Sequence, residues 1–508
     1  MGIGRKMLAT VKNVLRLSKI GFVLYRNGAL FIMRDLKISP FLYNILRLMP
    51  FQSVSDSRGK GLARALEELG PVFIKFGQAV ATRSDLIGEE LAEDLAMLQD
   101  RLPPSVDFKV EEEIERGLQV KIDDLFTKFD RKAVAAASIS EVFKAVTTEG
   151  KVVAVKVLRP GVEQQFARDI QLFFWLARII EKRLPSARRL KLVEVVKTFA
   201  DSVKIEMDLR LEAAAASELK DNLKDDDGVY IPEVDWVRTS KRVLTREWID
   251  GIPIHDAKKL VKHGFDLKKI AANFAVLFFN QAYRDGFFHA DLHPGNILID
   301  KSGTIVLIDF GIMGRLDKKT RIYVAEILRG FLSRDYLHVA KIHFAAGYVP
   351  SDQSVFAFAQ ACRSVGEPIV GLSANKISIA KLLAHLFQVT REFNMETQPQ
   401  LLLLQKTTVL VEGVGAKLNP KVNMWKLAEP WIEQWASQNI GFDAKIVDAA
   451  TDMIEFMGHN LPTYIKNAIG KQHRDVQVIK KKEASFFYVA LISALVAACT
   501  VLIMKIYQ

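Results

Sequence analysis

The sequence predicts an α+β fold in which a small β-rich lobe precedes a larger helical lobe. Residues 133–158 form two β-branched, strand-like runs on either side of a turn at Thr147 to Gly150. Residues 317–480 are mainly helical in pattern, and a long apolar run lies near the C-terminus. Strands that come first and helices that come later indicate two lobes of this kind.

Breaks in these patterns divide the chain into five regions. Residues 60–100, before the strands, are helical in pattern: one helix begins at Gly70-Pro71, and the last ends at Leu102-Pro103-Pro104. The predicted regions are a basic amphipathic N-terminal region at 1–55, a helical extension at 56–130, a β-rich lobe at 131–251, a helical lobe at 252–480 and a transmembrane helix at 484–505.

The composition is that of a basic, globular protein. Hydrophobic residues make up 49% of the 508 positions and charged residues 26%, which excludes a disordered chain. The net charge of +12 suits an anionic partner such as a membrane surface, a nucleotide or a nucleic acid. Only Cys362 and Cys499 are cysteines, and they are far apart, so neither a disulfide framework nor a cysteine metal site is expected.

The N-terminal 50 residues are strongly basic, with nine Lys or Arg residues and one acid, Asp35. Basic residues interrupt any apolar core that a secretory signal would need. Five apolar residues recur at roughly helical spacing, namely Met7, Val11, Val14, Leu15 and Phe22. The segment is therefore either an interfacial amphipathic helix on a membrane or a basic helix that packs on its own domain.

The C-terminal run from Phe486 to Met504 is 19 residues long and has no charge. About 20 apolar residues in a helix cross the hydrocarbon core of a bilayer. Lys480, Lys481 and Lys482 precede the run, so a single span would leave most of the chain on the cytoplasmic side. A buried core helix is the alternative interpretation.

One candidate active-site residue is a lysine on a predicted strand. Lys156 ends the sequence VAVK on the predicted strand before the helices, where a lysine would neutralise nucleotide phosphate. Such a lysine needs a carboxylate on the next helix to hold it. Glu206 and Glu212 are the candidates.

Residues 289–311 supply the other half of the pattern and comprise a catalytic segment, residues 289–296, and an Asp-Phe-Gly segment, residues 309–311. His289-Ala290-Asp291 is followed by Asn296 and then by Asp309-Phe310-Gly311. Asp291 would act as a base that accepts or orients the proton of a nucleophile, while Asn296 and Asp309 would bind Mg²⁺ through hard oxygen ligands. The two metal ligands flank a short predicted hairpin, which would bring them together. With Lys156 this order predicts a protein-kinase-like bilobal fold that uses ATP and Mg²⁺.

Several features depart from a protein kinase. Ala290 replaces an arginine, and no Ala-Pro-Glu follows the Asp-Phe-Gly motif, so a platform for peptide substrates is doubtful. Ala135, Ala136, Ala137 and Ser138 stand where a glycine-rich loop would cover the phosphates. Alanine adopts positive φ less freely than glycine, so this loop should be stiffer.

Two histidines of the catalytic segment suggest an alternative chemistry. His289 and His293 are spaced i, i+4, as in some zinc sites, but no third ligand is near in the sequence.

Together these motifs resemble the UbiB family of atypical kinase-like proteins of ubiquinone biosynthesis. Lys75-Phe76-Gly77-Gln78 is similar to the family's Lys-x-Gly-Gln signature. Glu206-Met207-Asp208 is similar to its Glu-x-Asp motif, and the run from Ala135 to Ser138 is similar to its alanine-rich loop. The catalytic segment completes the resemblance, which covers roughly residues 60–315.

The resemblance implies roles for particular residues. Lys75 would lie over the substrate cleft and contact the acids Glu206 and Asp208, whereas Glu212 would pair with Lys156. On a straight helix, residues two apart point about 200° away from each other, so both acids can face Lys75 only if the helix bends. Glu141 departs from the family pattern, because a carboxylate near the phosphates repels them unless it points away.

The resemblance implies a membrane-anchored, Mg-dependent ATPase or atypical kinase of ubiquinone biosynthesis, acting on or giving access to lipid precursors. The alternatives are a genuine protein or small-molecule kinase and a non-catalytic, nucleotide-gated scaffold. The implied partners are membrane lipids, quinone precursors and other ubiquinone-biosynthetic proteins, without nucleic acid and with a homodimer left open. The implied location is the bacterial cytoplasmic (inner) membrane.

Overall fold

The computed structural model describes residues 16–29, 31, 58–81, 91, 94–95, 98, 108–183, 192–367, 389, 392–395, 398–419, 430–431 and 434–435. All of them belong to one unit of the chain, residues 1–435.

A five-stranded antiparallel sheet forms the β-rich lobe. Its strands run in the order β1-β3-β4-β6, and β2 pairs with β3 on the same sheet. The strands are β1 (Phe126–Phe129), β2 (Ala135–Ala136), β3 (Ser140–Thr147), β4 (Val152–Leu158) and β6 (Val243–Glu247). The hairpin predicted within residues 133–158 is therefore confirmed. The sheet begins at Phe126, ahead of the predicted boundary at residue 131.

The two faces of this sheet have different partners, because side chains alternate along each strand. Val153, Val155 and Val157 pack with Phe143 in one apolar cluster. Lys156 lies on the opposite face of β4, since it alternates with those valines. The β3–β4 turn closes at Gly150, whose φ of +82° favours glycine.

Helices that precede β1 or lie between β4 and β6 in the chain cover this sheet, the third and fourth of them on the valine face and the others on the face that carries Lys156. They are α1 (Arg58–Leu69), α2 (Pro71–Ala81), α3 (Val110–Leu118), α4 (Ile122–Leu125), α5 (Val162–Arg183), α6 (Leu192–Glu206) and α7 (Leu209–Asn222). Phe73 of α2, Phe166 of α5, Phe199 of α6 and Ala213 of α7 share one buried cluster with Leu244 of β6. The extension is therefore packed against the lobe that carries Lys156.

Residues 16–26 are helical and pack on this cluster through buried Val23. Arg16 forms an ion pair with buried Asp169 of α5. These contacts support the interpretation that the basic helix packs on its own domain, although Phe22 remains 59% exposed. The other four apolar positions of the predicted amphipathic face lie outside the described residues.

The second lobe combines short strands with helices. A four-stranded sheet has the order β5-β10-β9-β7, and β8 pairs with β11. The strands are β5 (Val229–Tyr230), β7 (Ile252–Pro253), β8 (Phe287–His289), β9 (Ile297–Ile299), β10 (Ile305–Leu307) and β11 (Met313–Arg315). The helices are α8 (Ala257–Lys262), α9 (Leu267–Phe279), α10 (Lys318–Leu332), α11 (Tyr336–Ala345), α12 (Val355–Gly366) and α13 (Pro399–Leu418).

Two short helical turns adjoin the catalytic segment in this lobe. A π-helical turn, Asn280–Asp285, continues α9, and Gly286 after it has a φ of +68°. A 3₁₀ turn, Pro294–Asn296, leads into β9.

The transmembrane helix predicted at 484–505 lies outside the described residues. Among the helices that the structure does describe, none is both long enough and apolar enough to cross a membrane.

Candidate active site

Lys156 of β4 lies at the centre of a buried charge cluster. Its Nζ is 2.8 Å from both carboxylate oxygens of Glu212 on α7 and 2.9 Å from Asp309 Oδ2. Lys156 and Glu212 are each 8% exposed. The predicted pairing of Lys156 with Glu212 is therefore confirmed, and Glu206 has a different partner.

The charges of this cluster stabilise one another against burial. Burial alone would lower the pKa of Lys156, but the carboxylates of Asp309 and Glu212 outweigh it and raise that pKa. Burial would likewise raise the pKa of Asp309, but Lys156 and Arg246 outweigh it and hold the pKa well below its usual range. Lys156 is thus charged and Asp309 is ionised before any ligand binds.

Arg246 is a fourth charged member that the motifs do not reveal. It lies on β6 opposite Ala154, so it shares a sheet face with Lys156. Its side chain is buried, and in the described part of the chain its Nη1 has no hydrogen-bond partner. A cationic group with an unused donor on this face suits an anionic ligand.

His289 joins the catalytic segment to the Asp-Phe-Gly segment. Its Nδ1 accepts a hydrogen bond from the Asp291 backbone N–H at 3.1 Å. The ring proton is therefore on Nε2, which donates to the Asp309 carbonyl oxygen. Because burial lowers the pKa of His289, the ring is neutral and keeps this tautomer. Through these two hydrogen bonds the His289 ring links the backbone at Asp291 to the backbone at Asp309, one of the predicted metal ligands.

Asn296 and Asp309 lie at the open ends of the β9–β10 hairpin. The Ile308 N–H donates to the Asn296 carbonyl oxygen at 3.0 Å, so the two strands meet just before Asp309. Asn296 Nδ2 donates to the Asp291 carbonyl oxygen at 3.1 Å, which leaves the amide oxygen for a metal ion. An amide oxygen and a carboxylate form a donor set that fits Mg²⁺.

The second histidine of the catalytic segment has a structural contact. His293 Nδ1 accepts a hydrogen bond from the Gly295 N–H at 3.0 Å and so caps the 3₁₀ turn. Within the described residues, no three His, Cys, Asp or Glu side chains form a cluster that could hold a metal ion.

Backbone groups of the alanine-rich loop form hydrogen bonds with the neighbouring strand β3. Ala135 and Ala136 form β2 and pair with β3, and the Ala137 N–H donates to the Ser140 carbonyl oxygen at 2.8 Å. Ser138 is completely buried. The positive-φ residues of the described chain do not include any of these four, so the loop does not form the backbone anion nest typical of glycine-rich loops.

Glu141, next to this loop, is 2% exposed and turned toward Arg159. The guanidinium Nη2 lies 3.6 Å from Glu141 Oε1. The carboxylate is paired within the lobe, which removes the repulsion that its position near the phosphates would otherwise cause.

The two acids of the Glu-x-Asp motif have different partners. Glu206 Oε2 lies 3.0 Å from Lys75 Nζ. Asp208 caps α7 instead, accepting from the Arg210 N–H at 3.2 Å and from its guanidinium at 2.7 and 2.9 Å. The hydrogen bonds from Arg210 also lower the pKa of Asp208. The expectation that both acids contact Lys75 therefore holds for Glu206 and not for Asp208.

The rest of the Lys-x-Gly-Gln signature positions α2. A Cβ at Gly77 would come within 2.6 Å of Leu66 Cδ1 and 2.5 Å of Leu98 Cδ1, so a larger residue here would displace both leucine side chains. Gln78 Nε2 donates to the Leu98 carbonyl oxygen at 3.2 Å. The signature thus combines the close packing of α2 at Gly77 with the ion pair between Lys75 and Glu206.

Lys406 of α13 contacts the predicted catalytic base. Its Nζ lies 3.5 Å from Asp291 Oδ1. The two residues are 115 positions apart in the chain, and the motifs give no signal for Lys406.

Two family models match the chain. The ABC1 atypical kinase-like domain matches residues 97–343, and the UbiB helical domain matches residues 362–423. The first model includes the Lys156 cluster and the catalytic segment, whereas the second includes Lys406. Lys75 precedes both.

Individual proteins are similar over most of their length. A "Probable protein kinase UbiB" from Marinobacter nauticus is 42% identical over 416 residues, which cover 81% of this chain and 75% of the relative. The protein of that name from Azotobacter vinelandii is 39% identical, over 86% of this chain and 82% of its own. A solved structure of Rv3197 from Mycobacterium tuberculosis with erythromycin has a TM-score of 0.50 at 25% identity, over 70% of this chain and 90% of that one.

Proposed function

The chain belongs to the UbiB family of ABC1 atypical kinase-like proteins, and from that membership we propose that it is a Mg-dependent ATPase required for ubiquinone biosynthesis. Its ATP turnover would act on, or give access to, lipid precursors of the quinone at the cytoplasmic (inner) membrane.

The observation that carries this proposal is the Lys156 cluster. Lys156 is held by Glu212 and touches Asp309, so the phosphate-neutralising cation and one metal ligand are in contact before a nucleotide arrives. A bound nucleotide would bring Mg²⁺ to Asp309 and Asn296, and the ion would neutralise phosphate charge. Lys156 would then bind phosphate oxygens, and Asp291 would orient the attacking hydroxyl group or water.

Two features favour ATP turnover over peptide phosphorylation. The alanine-rich loop has bonded its Ala137 N–H internally, so it offers the phosphates fewer backbone donors than a glycine-rich loop does. In addition, the buried Lys75–Glu206 pair binds the N-terminal extension to the end of α6, close to the helix that carries Glu212. Both features support a nucleotide site that turns over ATP without phosphorylating peptides.

The association with a membrane is supported by sequence features. The apolar run from Phe486 to Met504 has the length and composition of a single span, and Lys480 to Lys482 precede it. The net charge of +12 favours an anionic lipid surface.

A second candidate is transfer of phosphate to a protein or small-molecule acceptor. The name "Probable protein kinase UbiB" of the relatives favours it. Labelled γ-phosphate recovered on peptides in stoichiometric amounts would make it the better account.

The test compares wild type with Asp309→Asn and with Asp201→Asn, an exposed aspartate of α6 that serves as the control. The full-length protein is assayed for ATP hydrolysis in phosphatidylglycerol vesicles with a phenolic precursor, and cells that carry each variant are assayed for ubiquinone. We expect Asp309→Asn to lose both hydrolysis and ubiquinone, and Asp201→Asn to keep both. Normal ubiquinone in Asp309→Asn cells would contradict the proposal and favour a non-catalytic scaffold.

A further inference from the structure

The catalytic segment carries no positive charge of its own. Residues 289–296 contain neither Lys nor Arg, and the next lysine along the chain, Lys301, lies in the turn of the β9–β10 hairpin. The predicted base, Asp291, is contacted by a lysine from another region, because Lys406 Nζ lies 3.5 Å from its Oδ1. Negative charge spreads over the transferred phosphoryl group in the transition state, so this end of the cleft is where a fixed cation has most effect.

The helix that carries Lys406 is held firmly in place. Thr407 and Val411 of α13 are completely buried, and Leu404 and Val414 nearly so. The helix packs against α9 and β11, and β11 pairs with the strand that ends at His289. The backbone at Lys406 is therefore fixed relative to the catalytic segment.

Lys406 itself is not required for that packing. Its side chain is 44% exposed and that of Asp291 is 34% exposed. An ion pair as exposed as this adds little to folding stability. An effect of Lys406 on turnover would therefore be separable from an effect on the fold.

We propose that Lys406 is a positioning residue of the ATP-turnover reaction, which holds the Asp291 carboxylate in the orientation that the nucleophile needs. This inference rests on the function proposed above. It assigns a role to the helical domain at residues 362–423, which would supply through α13 the cation that the catalytic segment lacks.

The role predicts a particular kinetic pattern. Lys406 contacts Asp291 and none of Lys156, Glu212 or Asp309, so its removal should lower kcat without weakening nucleotide binding. Displacing a catalytic group by about 1 Å can cost up to about 100-fold in rate. We expect Lys406→Met to lower kcat by about 10- to 100-fold, with the Kd for MgATP within about twofold of wild type.

The experiment uses the full-length protein in phosphatidylglycerol vesicles and three variants. Lys406→Met removes the charge, Lys406→Arg keeps it, and Lys417→Met removes an exposed lysine from the same helix. For each variant, kcat and KM for ATP hydrolysis, the Kd for MgATP and the melting temperature are measured. The expected result is a kcat loss in Lys406→Met, partial recovery in Lys406→Arg and wild-type behaviour in Lys417→Met, with unchanged melting temperatures.

Four other results would overturn one or both proposals. A Kd for MgATP weakened in Lys406→Met by as much as kcat falls would place Lys406 in nucleotide binding and overturn this inference. Wild-type kcat in Lys406→Met would overturn this inference and leave the proposed function standing. A kcat loss that comes with a lower melting temperature and no recovery in Lys406→Arg would show a structural role and also overturn it. Absence of hydrolysis by the wild type would overturn the proposed function, and this inference with it.

Discussion

Lys75 Nζ lies 3.0 Å from Glu206 Oε2, and the two side chains are only 9% and 15% exposed. This pair joins α2 of the N-terminal extension to the last residue of α6. The next helix, α7, carries Glu212, which holds Lys156. A buried ion pair and one helix junction therefore connect the extension to the Lys156 cluster, in addition to the apolar packing of α2 on this lobe.

The first prediction concerns that pair. Removing one partner leaves a charge that is largely buried, so Lys75→Ala and Glu206→Gln should each lower the free energy of unfolding, and their effects should not add. We expect a coupling energy of about 1–3 kcal/mol from a double-mutant cycle measured by urea unfolding. Lys204→Ala, on the exposed side of α6, is the control and should change stability by no more than about 0.5 kcal/mol. Additive effects of the two mutations would show that the pair contributes no specific coupling.

The second prediction compares two helical glycines. A Cβ at Gly77 would meet Leu66 and Leu98 within 2.6 Å, whereas a Cβ at Gly413 of α13 would meet nothing within 4 Å. Gly77→Ala should therefore destabilise the protein by about 1–3 kcal/mol through overpacking. Gly413→Ala should stabilise it by about 0.5–1 kcal/mol, since alanine favours the helix. Thermal unfolding measures both effects, and equal changes in the melting temperature of the two variants would contradict the packing of α2.

The third prediction concerns thiol reactivity. Burial raises the pKa of the Cys362 thiol of α12 to about 12. An unfolded thiol has a pKa near 8.5, so the folded thiol keeps its proton where the unfolded one ionises. This contribution to stability is complete below about pH 8.5 and is lost as the pH rises from there toward 12.

The measurement uses a Cys499→Ser variant, so that Cys362 is the only cysteine. Iodoacetamide at pH 9 should leave the folded protein unmodified and should alkylate the urea-unfolded chain. Alkylation of folded and unfolded protein at similar rates would mean that α12 opens readily or that Cys362 is not buried.

Local patterns predicted much of the fold and of the site. The residues alone left Glu206 and Glu212 open as partners of Lys156, and the family resemblance implied Glu212, which the structure confirms. The β3–β4 hairpin and the β9–β10 hairpin around Asp300 to Gly303 follow from strand and turn patterns in the sequence. Each of these depends on short-range geometry or on the order of elements along the chain.

Contacts set by capping or by distant packing could not be predicted. Asp208 pairs with Arg210 because α6 ends at Glu206 and a new helix needs an N-cap, a local choice that the motif comparison does not consider. Arg246 and Lys406 reach the site through strand register and through the packing of α13, respectively. Neither relationship leaves a trace in the spacing of residues along the chain.

Under the proposed function, the cluster around Lys156 binds a nucleotide through Mg²⁺ held by Asp309. Isothermal titration of the full-length protein with ATP, with and without Mg²⁺, tests it most directly in wild type and Asp309→Asn. We predict that Mg²⁺ tightens ATP binding by wild type at least about tenfold, or about 1.4 kcal/mol, and has little effect on the variant. Equal Mg²⁺ dependence in the two proteins would contradict the account.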